Sequence, residues 1–253
     1  MNEVQTAGMW KRISAALLDL VLLFALAIGV AWFLSWALGY DANVQKLEST
    51  IQSYEQTYGV DYDITQEAFD ALTDAERAKY DEASQALSQD AEANRLYSLL
   101  FTHTLLIVTF GLLVPTVLLE FVVPLLFKDG RTLGKKIFGL AVMREDRVRI
   151  TPTLLFIRAI LGKYTIELMV PVLAIFMMIF LGMGLVGVII LGGLAVLQIL
   201  LLCSSPTRPV IHDKLSRTVA VDYASQKIFD TYEDLLEYQK RIHAEEVRGE
   251  QSA

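Results

Sequence analysis

The chain has 253 residues, 54% of them hydrophobic and 20% charged, whereas a soluble domain carries about 25% charged residues. Its net charge is −7, from 22 Lys+Arg against 29 Asp+Glu, so there is no basic field and no nucleic-acid partner is expected. The apolar excess excludes a soluble enzyme and a disordered tail, and the single cysteine, Cys203, excludes a disulfide scaffold.

In chain order, residues 1–39 are expected to hold an N-terminal segment and a first transmembrane helix. Its apolar run, 13–38, is broken only by Asp19. That run is longer than the roughly 7–15-residue core of a signal peptide and contains an acid, which predicts a retained span. Residues 40–95 are acidic, with thirteen Asp/Glu against four Lys/Arg. Val44, Leu47, Ile51, Tyr54 and Tyr58 line one helical face, and Gly59-Val60-Asp61 breaks it. Thr73 and Glu76 then have capping-box spacing, so the segment reads as a helical hairpin. Its carboxylates are either a solvated surface or an attractor of cations.

Residues 96–127 form a second span, with Glu120 as its one charged side chain and with Pro115 and Pro124 to kink it. The segment 128–163 carries nine Lys/Arg against three acids. In it, Thr151-Pro152 opens a short basic helix expected to lie on the bilayer surface ahead of the third span. The motif Gly130-Arg131-Thr132-Leu133-Gly134-Lys135-Lys136 fails as a phosphate loop: its glycines enclose three residues, and Lys136 stands where Ser or Thr should be. It reads instead as a basic turn, Arg131, Lys135 and Lys136, touching anionic headgroups. Residues 164–203 are too long for one span, and Gly182-Met183-Gly184 divides them into a third and a fourth. Gly192-Gly193 is expected to allow close helix packing. Residues 204–253 form a tail with a helical, mixed-charge end.

Four spans put both termini on one side, and the Lys/Arg excess of 128–163 makes that side cytoplasmic and the 40–95 hairpin extracellular. The expected fold is an all-α, multi-pass plasma-membrane protein with four transmembrane helices. His103, His212 and His243 lie far apart, so no metal and no cofactor are expected, and no catalytic motif is present.

The informative residues are the acids inside apolar runs, Asp19, Glu120 and Glu167, all expected near the cytoplasmic third of the bilayer. A charge at the bilayer centre costs about 2.5–3.5 kcal/mol on insertion scales, so such groups face the protein interior. Two roles fit them. Either they pair with Arg12, Arg158 or Lys163 and fix the helices, or desolvation tunes them into a site for protons or monovalent cations.

Arg12-Ile13-Ser14-Ala15-Ala16-Leu17-Leu18-Asp19, the Gly130–Lys136 turn running into Gly139-Leu140-Ala141-Val142, and His212-Asp213-Lys214-Leu215-Ser216-Arg217-Thr218-Val219 together resemble the bacterial RDD family of membrane proteins over residues 8–222. The family's arginine and two aspartates match Arg12, Asp19 and Asp213. Two positions depart from its pattern: Leu133 replaces a usual proline, and Ser216-Arg217 replaces a small pair, placing a cation where it would occupy Asp213. The resemblance implies a membrane protein, with transport proposed for some members. The leading expectation is therefore a small cation–proton transporter with an ion site at Asp19, Glu120 and Glu167. In that reading an Arg12–Asp213 pair forms the inner gate, the chain forms a homodimer, and its surroundings are the lipid bilayer. The alternative is a non-transporting scaffold or assembly factor whose charges are structural. Neither reading makes it an enzyme.

Overall fold

The computed structural model describes residues 6–204 and 207–250. The ends of the expected N-terminal segment and tail, and residues 205 and 206, lie outside the described residues. The regular elements in chain order are α1 (Met9–Ala37), α2 (Tyr40–Tyr58), α3 (Gln66–Asp70), α4 (Asp74–Gln89) and α5 (Ala91–Phe127). They are followed by α6 (Leu133–Ile137), β1 (Leu140–Arg144), α7 (Pro152–Phe180) and α8 (Gly184–Ser204). The last are α9 (Ile211–Leu215), β2 (Thr218–Asp222) and α10 (Tyr232–Glu250). Helices α1, α5, α7 and α8 are long and apolar enough to cross a bilayer. This is the all-α membrane architecture that the apolar runs predict.

In α1 the membrane origin is plain from what is exposed. Leu17, Val21, Phe24, Ile28, Trp32 and Trp36 face outward, while Ala15, Asp19, Leu23 and Ala27 are buried at strict four-residue spacing. A water-facing helix would show the reverse. Asp19 therefore lies on the protein-facing stripe, among small and apolar neighbours.

The chain forms two compact units. One is Ile28–Gly111. Its core is Leu47, Ala93, Leu96 and Leu100, with Tyr40, Val44, Ile51 and Leu87 packed against them. The expected apolar stripe of α2 supplies three of these. Gly59 ends α2 in the left-handed region at φ 63°, which glycine reaches without a Cβ clash. The Thr73–Glu76 capping box starts α4, and the Asp90 carboxylate accepts from Ala93 N to start α5 (2.8 Å).

The other unit contains the rest of the chain. In it α5 widens to a π-helical stretch, Val117–Val122, between Pro115 and Pro124. Neither proline has an N–H to donate, and the ladder shifts by one residue there, Val123 N–H reaching Leu118 O. Helix α7 corrects an expectation. Thr151 caps it and Pro152 occupies its first turn. However, the surface helix expected over 151–163 is not separate, because one helix runs to Phe180 through a π-helical stretch at Ile157–Met169. The only glycine in that stretch, Gly162, is not enough to break it. Close packing of α7 on α8 also falls elsewhere than at Gly192 and Gly193, beside which a Cβ would meet nothing within 4 Å. It occurs at Gly187, where a Cβ would stand 2.9 Å from Ala174 O.

The segments outside the spans hold structure that periodicity did not reveal. β1 and β2 pair antiparallel, Leu140 opposite Asp222 and Arg144 opposite Thr218. Four of the five residues in each strand are buried. Thr6 bridges to Val221, and Ala7 N donates to Ala220 O (3.4 Å), so the residues just before α1 lie against β2 as well. Ala141, Met143, Val219 and Val221 form one small core of this sheet. Val142, Ile150 and Leu155 form another. Leu235 of α10 packs on Val148 and Phe229, so the tail helix covers the loop after β1.

Candidate functional site

Asp19, on the buried stripe of α1, receives the start of α6. Gly134 N donates to Oδ1 (2.7 Å) and the Thr132 hydroxyl donates to Oδ2. Thr132 is the N-cap of α6, so the carboxylate sits where unpaired helical N–H groups point, with a favourable end charge. Gly134 makes the approach geometrically possible: a Cβ there would lie 2.3 Å from Ala15 O and 2.8 Å from Asp19 Oδ1. This explains the second glycine of the Gly130–Lys136 motif. For Lys135 it also replaces the surface position that the headgroup reading expects with a buried one. Lys135 is buried, its Nζ 3.3 Å from Thr132 Oγ1 and 3.9 Å from Asp19 Oδ2. Arg131 pairs with Asp129 and lies over the Tyr223 ring at 4.0 Å. Lys136 is exposed and reaches back over Phe127. The folding-back is driven by a carboxylate that requires donors.

Arg12, in the first turns of α1, donates to Thr207 O (3.1 Å) and Arg208 O (3.0 Å), and its Nη2 stands 3.4 Å from Asp213 Oδ2. The closer partner of Asp213 is Arg158 of α7, whose Nη1 donates to Oδ1 and also to Thr218 Oγ1 (2.7 Å). Asp213 and Arg158 are almost fully buried, at 2% and 3% exposure. Arg217 does not occupy Asp213 as its position had suggested. It is exposed, in the left-handed region at φ 50°, and its carbonyl accepts from Glu145 N. Ser216, the other departure, is buried and bonds Thr218 Oγ1 (2.8 Å).

Glu120, in the π-helical part of α5, pairs with Lys163. Glu167 accepts from His212 N (3.1 Å) and lies 2.8 Å from His212 Nδ1. Burial and the charges of Arg158, Lys163, Lys135 and Arg12 hold the His212 pKa well below its usual value. The imidazole is therefore neutral, with Nδ1 facing the Glu167 carboxyl group. Gly162 lets this contact form, since a Cβ would stand 2.5 Å from His212 Cβ.

The three intramembrane acids thus have separate partners, in the order Asp19 with α6, Glu120 with Lys163, and Glu167 with His212. Among the described residues, no three His, Cys, Asp or Glu side chains converge as for a metal ion. Thr132, Gly134, Gly162 and Thr218 were not singled out individually from the sequence, and His212 was weighed only as a metal ligand. Thr132, Gly134, His212 and Thr218 stand inside two of the three motifs that carry the family resemblance, which was the available signal.

Beside this network lies a cavity of about 480 Å³. Its lining includes Arg12, Lys135, Arg158, Lys163 and Arg208, with Asp213 as the one carboxylate; Asp19, Glu120 and Glu167 are not part of it. Met9, Ile13, Leu140, Leu202 and Val210 supply apolar wall.

A comparison with protein families matches residues 6–217 to the RDD family. No curated protein and no solved structure matches the chain.

Proposed function

Since the chain belongs to the RDD family and is a membrane protein, we propose that it serves as a multi-pass membrane scaffold whose buried charges hold helices and connecting segments together. The observation that carries this reading is Asp19. Its two oxygens are bonded to Thr132 and Gly134, and it does not line the cavity. A relay carboxylate needs a place for an ion or proton arriving from solution. Here the protein's own donors fill that place, as Lys163 does at Glu120. The cation–proton transporter reading loses support accordingly. The excess of Lys and Arg in 128–163 favours a plasma-membrane orientation with the termini and this segment in the cytoplasm.

Asp19→Asn tests the assignment. It removes the charge from two hydrogen bonds, each worth about 1.5–3 kcal/mol to a charged group. The scaffold reading expects a lower melting temperature in detergent, with no proton- or sodium-dependent flux in proteoliposomes from either protein. A cation flux in the wild type that disappears in a folded Asn variant would establish the relay instead.

A further inference from the structure

The cavity wall is electrically one-sided. Five cations line it against the single carboxylate of Asp213, which Arg158 and Arg12 already share. Three further acids balance the cations from outside the lining: Asp19, Glu120 and Glu167. With His212 neutral, five cations against these four carboxylates leave one positive charge over. Donors are also available. Among the described hydrogen bonds Arg158 uses only Nη1, and Lys135 Nζ has one bond, a long one, to Thr132. Lys135 is itself buried among these charges. Burial, followed by the repulsion of Lys163 and Arg158, lowers its pKa to about 8 against the opposing pull of Glu120 and Asp19. Met9, Ile13 and Leu202, at the start of α1 and the end of α8, line the same cavity. The volume falls within the roughly 300–1,000 Å³ usual for small-molecule sites.

From this geometry we infer that the cavity is a binding site for a phosphate group, held by Arg12, Lys135, Arg158, Lys163 and Arg208. A phosphodiester carries one negative charge, which matches the surplus, and offers several acceptor oxygens to guanidinium and ammonium donors. The adjoining apolar wall and its place at the ends of two spans suit the headgroup of an anionic phospholipid. A free phosphate would meet the same cations without using that wall. This inference goes beyond the scaffold reading and stands whether or not Asp19 is structural.

The test is calorimetric titration of the full-length protein in neutral detergent with short-chain phosphatidylglycerol, with short-chain phosphatidylcholine, and with inorganic phosphate. The double variant Lys135→Gln/Arg208→Gln removes two of the cations and leaves the Arg158–Asp213 and Lys163–Glu120 pairs in place. Binding of phosphatidylglycerol that weakens with salt, and by about tenfold or more in the folded double variant, supports the site. If the double variant does not fold, Arg208→Gln alone gives the same comparison at an exposed position. Phosphatidylglycerol binding tighter than phosphate identifies a lipid headgroup as the source, and equal binding identifies the free anion. Equal binding of phosphatidylcholine, no binding of any phosphate compound, or unchanged affinity in the folded variant would overturn the proposal.

Discussion

Lys135 shows how one buried cation couples the site to pH. Burial and the neighbouring Lys163 and Arg158 bring its pKa to about 8, from 10.5. Between these values the unfolded chain holds a proton that the folded chain has released, so folded stability rises with pH across that window. Below pH 8 the group carries a constant penalty, which remains after the opposing pull of Glu120 and Asp19. Lys135→Met, similar in length and uncharged, should therefore raise stability at pH 7 by roughly 1–3 kcal/mol. The advantage should shrink toward pH 10, read as the difference between the two melting curves across pH. A variant less stable than the wild type at pH 7 would mean that the ammonium holds Asp19 more strongly than its 3.9 Å separation indicates.

Among the elements, the π-helical part of α7 does the most to build the site, because Arg158, Gly162 and Glu167 on it all meet the His212–Asp213 end of the chain. Gly162 is its pivot. A Cβ there would press on His212 Cβ at 2.5 Å and Cα at 2.7 Å, and the latter belongs to backbone. Gly162→Ala should displace α9, breaking the Arg158–Asp213 and Glu167–His212 contacts, with a loss of about 2 kcal/mol or more. Thermal melting would register it, and a melting temperature equal to that of the wild type would show that α9 shifts freely. The sequence displayed the spans clearly, since long apolar runs have no competing explanation, and it displayed the acids because they interrupt those runs. It hid β1 and β2. Leu-Ala-Val-Met and Thr-Val-Ala-Val are short stretches buried at nearly every position, so they show no alternation by which a strand is told from a helix turn. It also hid the partners of Asp19, since a threonine hydroxyl and a glycine N–H carry no charge to attract notice.

At the scale of the whole molecule, the distribution of Lys and Arg predicts how the chain threads the bilayer. Residues 40–95 carry the acids and 128–163 the cations. In a Cys203→Ser background, a cysteine replacing exposed Asp63 should react with a membrane-impermeant maleimide in intact cells. One replacing exposed Ser225 should react only after permeabilisation. The reverse pattern would invert the topology and with it the leaflet that reaches the cationic cavity.

The Arg12–Asp213 contact joins residues 201 positions apart, and this constrains how the protein is made. At about 5–20 residues per second, a ribosome needs about 10–40 s to travel from one to the other. Asp19 waits for less time, because Gly134 is 115 residues away. A nascent first helix therefore enters the membrane with its acid and its arginine uncompanioned, and biogenesis must shelter the acid until residues 132–134 emerge and the arginine until residues 207–213 do, through the insertion machinery or interfacial water.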